Sequence, residues 1–289
     1  MTDVKTVLNR SITALSCLVV LSACSREPAP EPDAIYGRGG ETLWIEVADG
    51  RLKSEVYATP DRSEHPLLVV VLHGDLYNPT PSYQYAFAQA LTRGFDAPAL
   101  PAHVRARFTN PPPLDDVVAV GLLRPGYADN AGDRSAGERG RAQGDNFTPK
   151  VVDAIADAVE QLEKKFSARG VLLVGHSGGA TIAANMLGRR PGVADAALLV
   201  ACGCGPTRSL QPLDLAPGVR RDVVVRLLVG SEDKTTPPDQ SRTYAMALQR
   251  HGVDAEATVV PGLGHNMLFQ PVVFAALERL LALPLFAKS

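Results

Sequence analysis

Apolar runs alternating with helix-period segments predict an α/β class: a mostly parallel central sheet with helices on both faces. Two observations carry this prediction. Short apolar runs recur at 67–72, 171–174 and 196–201, and at 117–123 and 223–229 with one interruption each, Gly121 and Arg226, as suits strands covered on both sides. Helical periodicity separates them, most clearly in Val152, Ile155, Ala156, Val159, Leu162 and Phe166. Right-handed crossovers between such strands then yield a parallel sheet.

The elements follow in order from residue 41. Leu43, Ile45 and Val47 alternate with mostly polar neighbours, and Leu52, Ser54, Val56 and Ala58 repeat the pattern after Asp49-Gly50. This predicts an antiparallel hairpin turning at Asp-Gly. The run 67–72 ends in His73-Gly74-Asp75-Leu76, and a helix starts near Pro81-Ser82 with Tyr85, Phe87, Ala88 and Leu91. A proline-dense loop spans 98–113, and the strand 117–123 closes on Arg124-Pro125-Gly126-Tyr127. Residues 128–146 hold four glycines and mixed charges without periodicity, a loop of a length that usually has a function. Thr148-Pro149 signals a helix start. Further helices are expected from Gly178 to about Arg189, from Pro237-Pro238 to His251-Gly252, and over 268–281. A last strand is expected at 255–260, and 202–221 is a short connection with three prolines.

The chain has 289 residues, of which 45% are hydrophobic and 21% charged, enough for one large domain. The net charge of −2 and the lack of any long basic run exclude a case for nucleic acid. At the N-terminus, Lys5 and Arg10 precede a short apolar stretch over 11–23, the pattern of a secretory signal. Its end, Leu21-Ser22-Ala23-Cys24, resembles the bacterial lipobox. The resemblance implies residues 1–23 as a lipoprotein signal peptide, cleavage before Cys24, and a lipid on that thiol. It also implies a location in the cell envelope, anchored to a membrane surface and facing the periplasm or exterior. Residues 24–40, rich in Pro, Glu and Gly, read as a disordered tether, and 41–289 as the folded α/β domain. Cys202 and Cys204 in Ala-Cys-Gly-Cys-Gly remain. They read as a local bridge or as two quiet thiols, and two thiols alone make a poor metal site.

The run 171–174 enters Gly175-His176-Ser177-Gly178-Gly179 and then small residues suited to a helix. Strand, Gly-x-Ser-x-Gly and helix in that order form a nucleophile elbow, and on these residues the chain resembles the α/β-hydrolase family. That resemblance implies the α/β-hydrolase fold with an N-terminal antiparallel hairpin. It also implies a catalytic Ser177, followed in chain order by an acid and a histidine. Asp233 and Glu232 both end a strand in Gly230-Ser231-Glu232-Asp233. Aspartate at the second position, with a proline soon after, fits the family's acid. His265 in Gly262-Leu263-Gly264-His265 occupies the turn where the family places its base. His73-Gly74 resembles the oxyanion-strand motif, which implies the backbone N–H groups of Asp75 and Gly178 as donors. A carboxylate at 75 would oppose a developing oxyanion unless it turns away or is paired. Either Leu76 supplies the N–H instead, or Asp75 reads a cationic substrate. Tyr127, His73, Gly74 and His176 are pocket candidates by the same resemblance.

The short connection over 202–221 implies a minimal lid and an open site, suited to small esters or short peptides. Three functions follow. One is a serine esterase working through an acyl-enzyme, and another a serine peptidase or amidase, resembling prolyl oligopeptidases, with the same triad. The third is a non-catalytic envelope lipoprotein. No cofactor or metal is expected, since no His/Asp/Glu cluster has ligand spacing.

Overall fold

The computed structural model describes residues 39–75, 82–93, 114–141, 144–145, 147–206 and 209–287. The signal segment with Cys24, the tether up to residue 38, Leu76, Pro81, His103 and the proline-dense loop lie outside the described residues. Everything described belongs to the compact unit Glu31–Ser289.

In chain order the strands are β1 (Glu41–Val47), β2 (Gly50–Ala58), β3 (Leu67–Leu72), β4 (Val117–Leu122), a two-residue ribbon of β5 (Gly140–Arg141) and β6 (Gly144–Asp145), β7 (Gly170–His176), β8 (Ala196–Val200), β9 (Val224–Gly230) and β10 (Asp254–Val260). The helices are α1 (Tyr83–Arg93), α2 (Pro149–Phe166), α3 (Gly178–Arg189), the one-turn α4 (Pro212–Leu215), α5 (Pro238–Arg250) and α6 (Pro271–Leu281). Eight strands form one sheet in the order β1-β2-β4-β3-β7-β8-β9-β10. The hairpin joins antiparallel at β2–β4, and all pairings from β4 to β10 are parallel.

The alternation of each central strand divides the interior into two cores. Leu68, Val70 and Leu72 of β3, with Leu173 of β7, pack on the side of α2, α3 and α5. Leu67, Val69 and Val71, with Leu172 and Val174, pack on the side of α1 and α6. Successive strand side chains point to opposite faces, so a run of six apolar residues feeds both layers at once. Helix α2 starts as its sequence requires: Thr148 caps it by accepting from the Val151 N–H, and proline follows at the first helical position.

Two departures from the sequence expectation have a clear physical cause. The hairpin turn is Ala48-Asp49, because Val47 pairs with Gly50 and Gly50 opens β2 at φ 125°. This register sets Ile45 opposite Leu52, both buried; a one-residue slip would turn one of them to solvent. The last helix begins at Pro271 and not at 268. A proline ring clashes with the carbonyl four residues back, so it tolerates only the first turn. Met267 and Leu268 are instead buried in the preceding turn.

The polar loop after Tyr127 is tied to the sheet in its first half. Lys53 of β2 is buried, and its Nζ lies 2.6 Å from Asp129 Oδ2 and 2.7 Å from Asp133 Oδ2. Asp129 Oδ1 in turn accepts the N–H groups of Ala131 and Asp133. Ser135 accepts from the Lys53 N–H and donates to the Leu123 carbonyl. Burial works against the Lys53 charge, but the two aspartates outweigh it and raise its pKa above the ordinary lysine value. Removing one partner of such a buried pair leaves the other charge uncompensated, a loss of about 3–5 kcal/mol. Lys53→Met is therefore expected to lower unfolding free energy in urea by about that amount. A change under about 1 kcal/mol would show that the pair is not a structural staple.

Candidate active site

Because β3, β4, β7, β8, β9 and β10 run parallel, their carboxyl ends gather on one edge of the sheet, where open α/β sheets bind ligands. Ser177 stands between β7 and α3 at φ 53°, ψ −122°. That region is costly for a residue with a side chain, on the order of 1–3 kcal/mol. It persists because the backbone is held on both sides: the Ser177 N–H donates to the Val200 carbonyl, and its own carbonyl accepts from the Thr181 N–H. Gly74 presses against the serine, and a side chain there would meet Ser177 Cβ at 2.8 Å.

His265 Nε2 lies 2.9 Å from Ser177 Oγ, and its Nδ1 lies 2.9 Å from Asp233 Oδ2. A carboxylate can only accept. His265 therefore carries its proton on Nδ1 when neutral, which leaves Nε2 to accept from the serine hydroxyl. Asp233 is fully shielded, whereas the His265 side chain keeps about a fifth of its surface exposed. Burial opposes ionisation of Asp233. It is outweighed by the Thr236 N–H and hydroxyl and by His265, so its pKa falls below the usual carboxylate value. The neighbouring Glu232 is exposed and makes no part of this line.

Thr236 is the residue that the motif pattern did not single out. Its N–H donates to Asp233 Oδ1 at 2.8 Å, and its hydroxyl reaches Asp233 Oδ2 at 2.7 Å and the Ala201 carbonyl at 3.1 Å. It thus ties the acid loop to the end of β8. Directly after Ala201, Cys202 and Cys204 are joined in a disulfide and buried.

The turn His73-Gly74-Asp75 is clasped from the end of β4. Arg124 donates from Nη1 to the His73 carbonyl at 3.0 Å and to Asp75 Oδ1 at 2.8 Å. Tyr127 donates to the same Oδ1 at 3.1 Å. The Asp75 carboxylate is therefore paired through Oδ1 with a buried arginine and a tyrosine. His73 uses both ring nitrogens locally: Nδ1 meets the Gly74 carbonyl, and Nε2 accepts from the Arg124 N–H. With no face left for a second proton, complete burial and then the Arg124 charge push its pKa well below the ordinary value.

His176 links two of these loops. Its Nε2 donates to the His265 carbonyl at 3.1 Å, so its Nδ1 is the acceptor for the Tyr83 hydroxyl, also at 3.1 Å. Tyr83 in turn accepts from the Gly74 N–H. No motif marks Tyr83; only its place in the first turn of α1 assigns it. Burial, ahead of the nearby His265, lowers the His176 pKa to about 4. His73 and His176 are thus held neutral. The unfolded chain takes up their protons near 6.5, so their contribution to stability is full above that pH and is lost as pH falls. For His176 the window runs from 6.5 down to about 4, at up to about 1.4 kcal/mol per pH unit for each histidine. Urea unfolding across this window should show a shallower pH slope for His176→Asn than for the parent, by about one proton. Equal slopes would mean that His176 titrates freely in the fold.

Among the described residues, no group of three or more His, Cys, Asp or Glu is arranged to hold a metal ion. No helix among them is long and apolar enough to cross a membrane. Among its described residues, the segment between β8 and β9 contributes only α4 and a short 3-10 turn, Ala216–Gly218, both packed on α3.

No protein-family model and no curated protein sequence matches the chain. Solved structures do. A thermophilic esterase from the planctomycete Thermogutta terrifontis aligns at TM-score 0.57 and 15% identity, covering 87% of this chain and 95% of that one. Est1E from Butyrivibrio proteoclasticus, solved with ferulic acid bound, aligns at TM-score 0.59 and 12% identity, over 83% of this chain and 98% of its own. An acylaminoacyl peptidase, solved with a peptidyl chloromethyl ketone, aligns at TM-score 0.62 and 14% identity; the match covers 86% of this chain but 42% of that one. With the sheet order and the strand-edge site described above, these likenesses establish that the chain has the α/β-hydrolase fold.

Proposed function

We propose that the protein is a serine hydrolase that cleaves carboxylic esters through an acyl-enzyme. The observation that carries this reading is the unbroken line Ser177 Oγ–His265–Asp233, with both links at 2.9 Å. A serine hydroxyl is a weak nucleophile until an adjacent base takes its proton. Here Ser177 Oγ attacks the ester carbonyl carbon while its proton passes to His265 Nε2. Asp233 stabilises the imidazolium and keeps the ring oriented. The carbonyl oxygen, now negative, accepts from the N–H groups of Gly178 and Asp75. When the tetrahedral intermediate collapses, His265 returns the proton to the leaving alkoxide and the acyl group stays on Ser177. Water then repeats the sequence, with His265 as its base, and releases the acid.

A serine amidase or peptidase uses the same groups, and the likeness to an acylaminoacyl peptidase supports keeping it as the second reading. The absence of a helical lid between β8 and β9 among the described residues favours small, freely diffusing substrates. A fluorophosphonate is expected to add once to the intact protein at Ser177, and not at all to Ser177→Ala. p-Nitrophenyl esters of graded acyl length should turn over faster than aminoacyl p-nitroanilides. No adduct under conditions that label a control esterase would end both readings, and faster anilides would reverse their order.

We further propose that the chain is exported and anchored by lipid on Cys24, on the strength of the Leu21-Ser22-Ala23-Cys24 pattern. In a bacterial host fed radiolabelled palmitate, the protein should carry label in the membrane fraction. Cys24→Ala should lose both the label and the membrane association; labelled Cys24→Ala protein would contradict the anchor.

A further inference from the structure

We propose that Asp75 and Arg124 are a positioning pair for the oxyanion donors, and that residue 178 is glycine because the Asp75 carboxylate fills the space of its side chain. This deepens the acyl-enzyme reading and rests on it.

Gly178 meets Asp75 where a side chain would stand. A β-carbon built there would fall on Asp75 Oδ2, and the next nearest atoms are Asp75 Cγ and Oδ1. Nothing in the backbone asks for glycine: residue 178 opens α3 and is not among the positive-φ positions. Alanine is the better helix former in such a place. The empty side-chain position therefore answers to Asp75. The carboxylate lies flush against the residue whose N–H is to receive the oxyanion, where an uncompensated negative charge would oppose the chemistry.

Arg124 supplies the compensation. Its buried guanidinium joins the His73 carbonyl and Asp75 Oδ1 through one nitrogen, and its own N–H donates to His73 Nε2. Tyr127 adds a second donor on the same carboxylate oxygen. A three-residue turn held at its first carbonyl, its first ring and its last side chain has little freedom left. Its last N–H, that of Asp75, is thereby set relative to Ser177 and Gly178. Preorganised donors of this kind are effective because they need no reorganisation as charge develops.

The test is a double-mutant cycle on p-nitrophenyl ester turnover. The second readout is inhibition by a trifluoromethyl ketone, whose tetrahedral adduct places an oxyanion among the same donors. Gly178→Ala should lower kcat about a hundredfold, change KM less than about twofold, and weaken the ketone in step with kcat. In an Asp75→Ala background the same Gly178→Ala change should cost less than about threefold. Arg124→Met should cost more kcat in the parent than in Asp75→Asn, since only the parent is left with an unpaired carboxylate. Thermal melting of each variant separates misfolding from mispositioning. Equal losses for Gly178→Ala in both backgrounds would overturn the proposal. A parent protein neither labelled by a fluorophosphonate nor inhibited by the ketone would remove the acyl-enzyme reading itself. Labelled parent protein with additive losses would remove only the positioning pair.

Discussion

The backbone of Ser177 is the constraint on which the rest of the site depends. At φ 53° it occupies a conformation that a side chain disfavours, and it can do so only between a buried strand and a helix that are themselves fixed. β7 supplies one anchor, as a central strand hydrogen-bonded on both sides by β3 and β8. Thr181, one turn into α3, supplies the other. The strain is thus borne by the two-sided core, which the apolar runs of the central strands fill on both faces of the sheet.

Around this fixed point the neighbouring loops are tied to one another rather than left to fluctuate independently. Thr236 joins the acid loop to the end of β8. His176 joins the elbow to the backbone of His265 and, through Tyr83, to Gly74. Arg124 joins the end of β4 to the 73–75 turn. Each tie crosses from one strand end to another, so the positions of Ser177, His265 and the 73–75 turn are coupled. The two buried histidines serve in this as neutral hydrogen-bond joints, and burial is what keeps them neutral.

The fold was legible because its signals are local. Strand runs, the Thr148-Pro149 helix start and the Gly-x-Ser-x-Gly elbow are written within a few residues each. Ser177, Asp233 and His265 were also legible, since each sits at a strand end in a recognisable turn, and the structure brings the three together. The ties between loops were not legible. Tyr83 and His176 are 93 positions apart, Arg124 and Asp75 are 49 apart, and Lys53 and Asp129 are 76 apart. No periodicity or motif encodes pairings across such distances; only the sheet order does. Asp75 shows the consequence. Read alone, it looked like a charge in the wrong place, and its partners explain it only once β3 and β4 lie side by side.

The central claim is that Ser177, His265 and Asp233 act as one unit in acyl transfer. The most direct measurement is kcat/KM for ester hydrolysis in Ser177→Ala, in His265→Ala, and in the double variant Ser177→Ala/His265→Ala. Groups that share one proton transfer lose their function together. The double variant should therefore be no slower than the slower single variant. If the two losses instead multiply, the serine and the histidine act independently, and the assignment of this site fails.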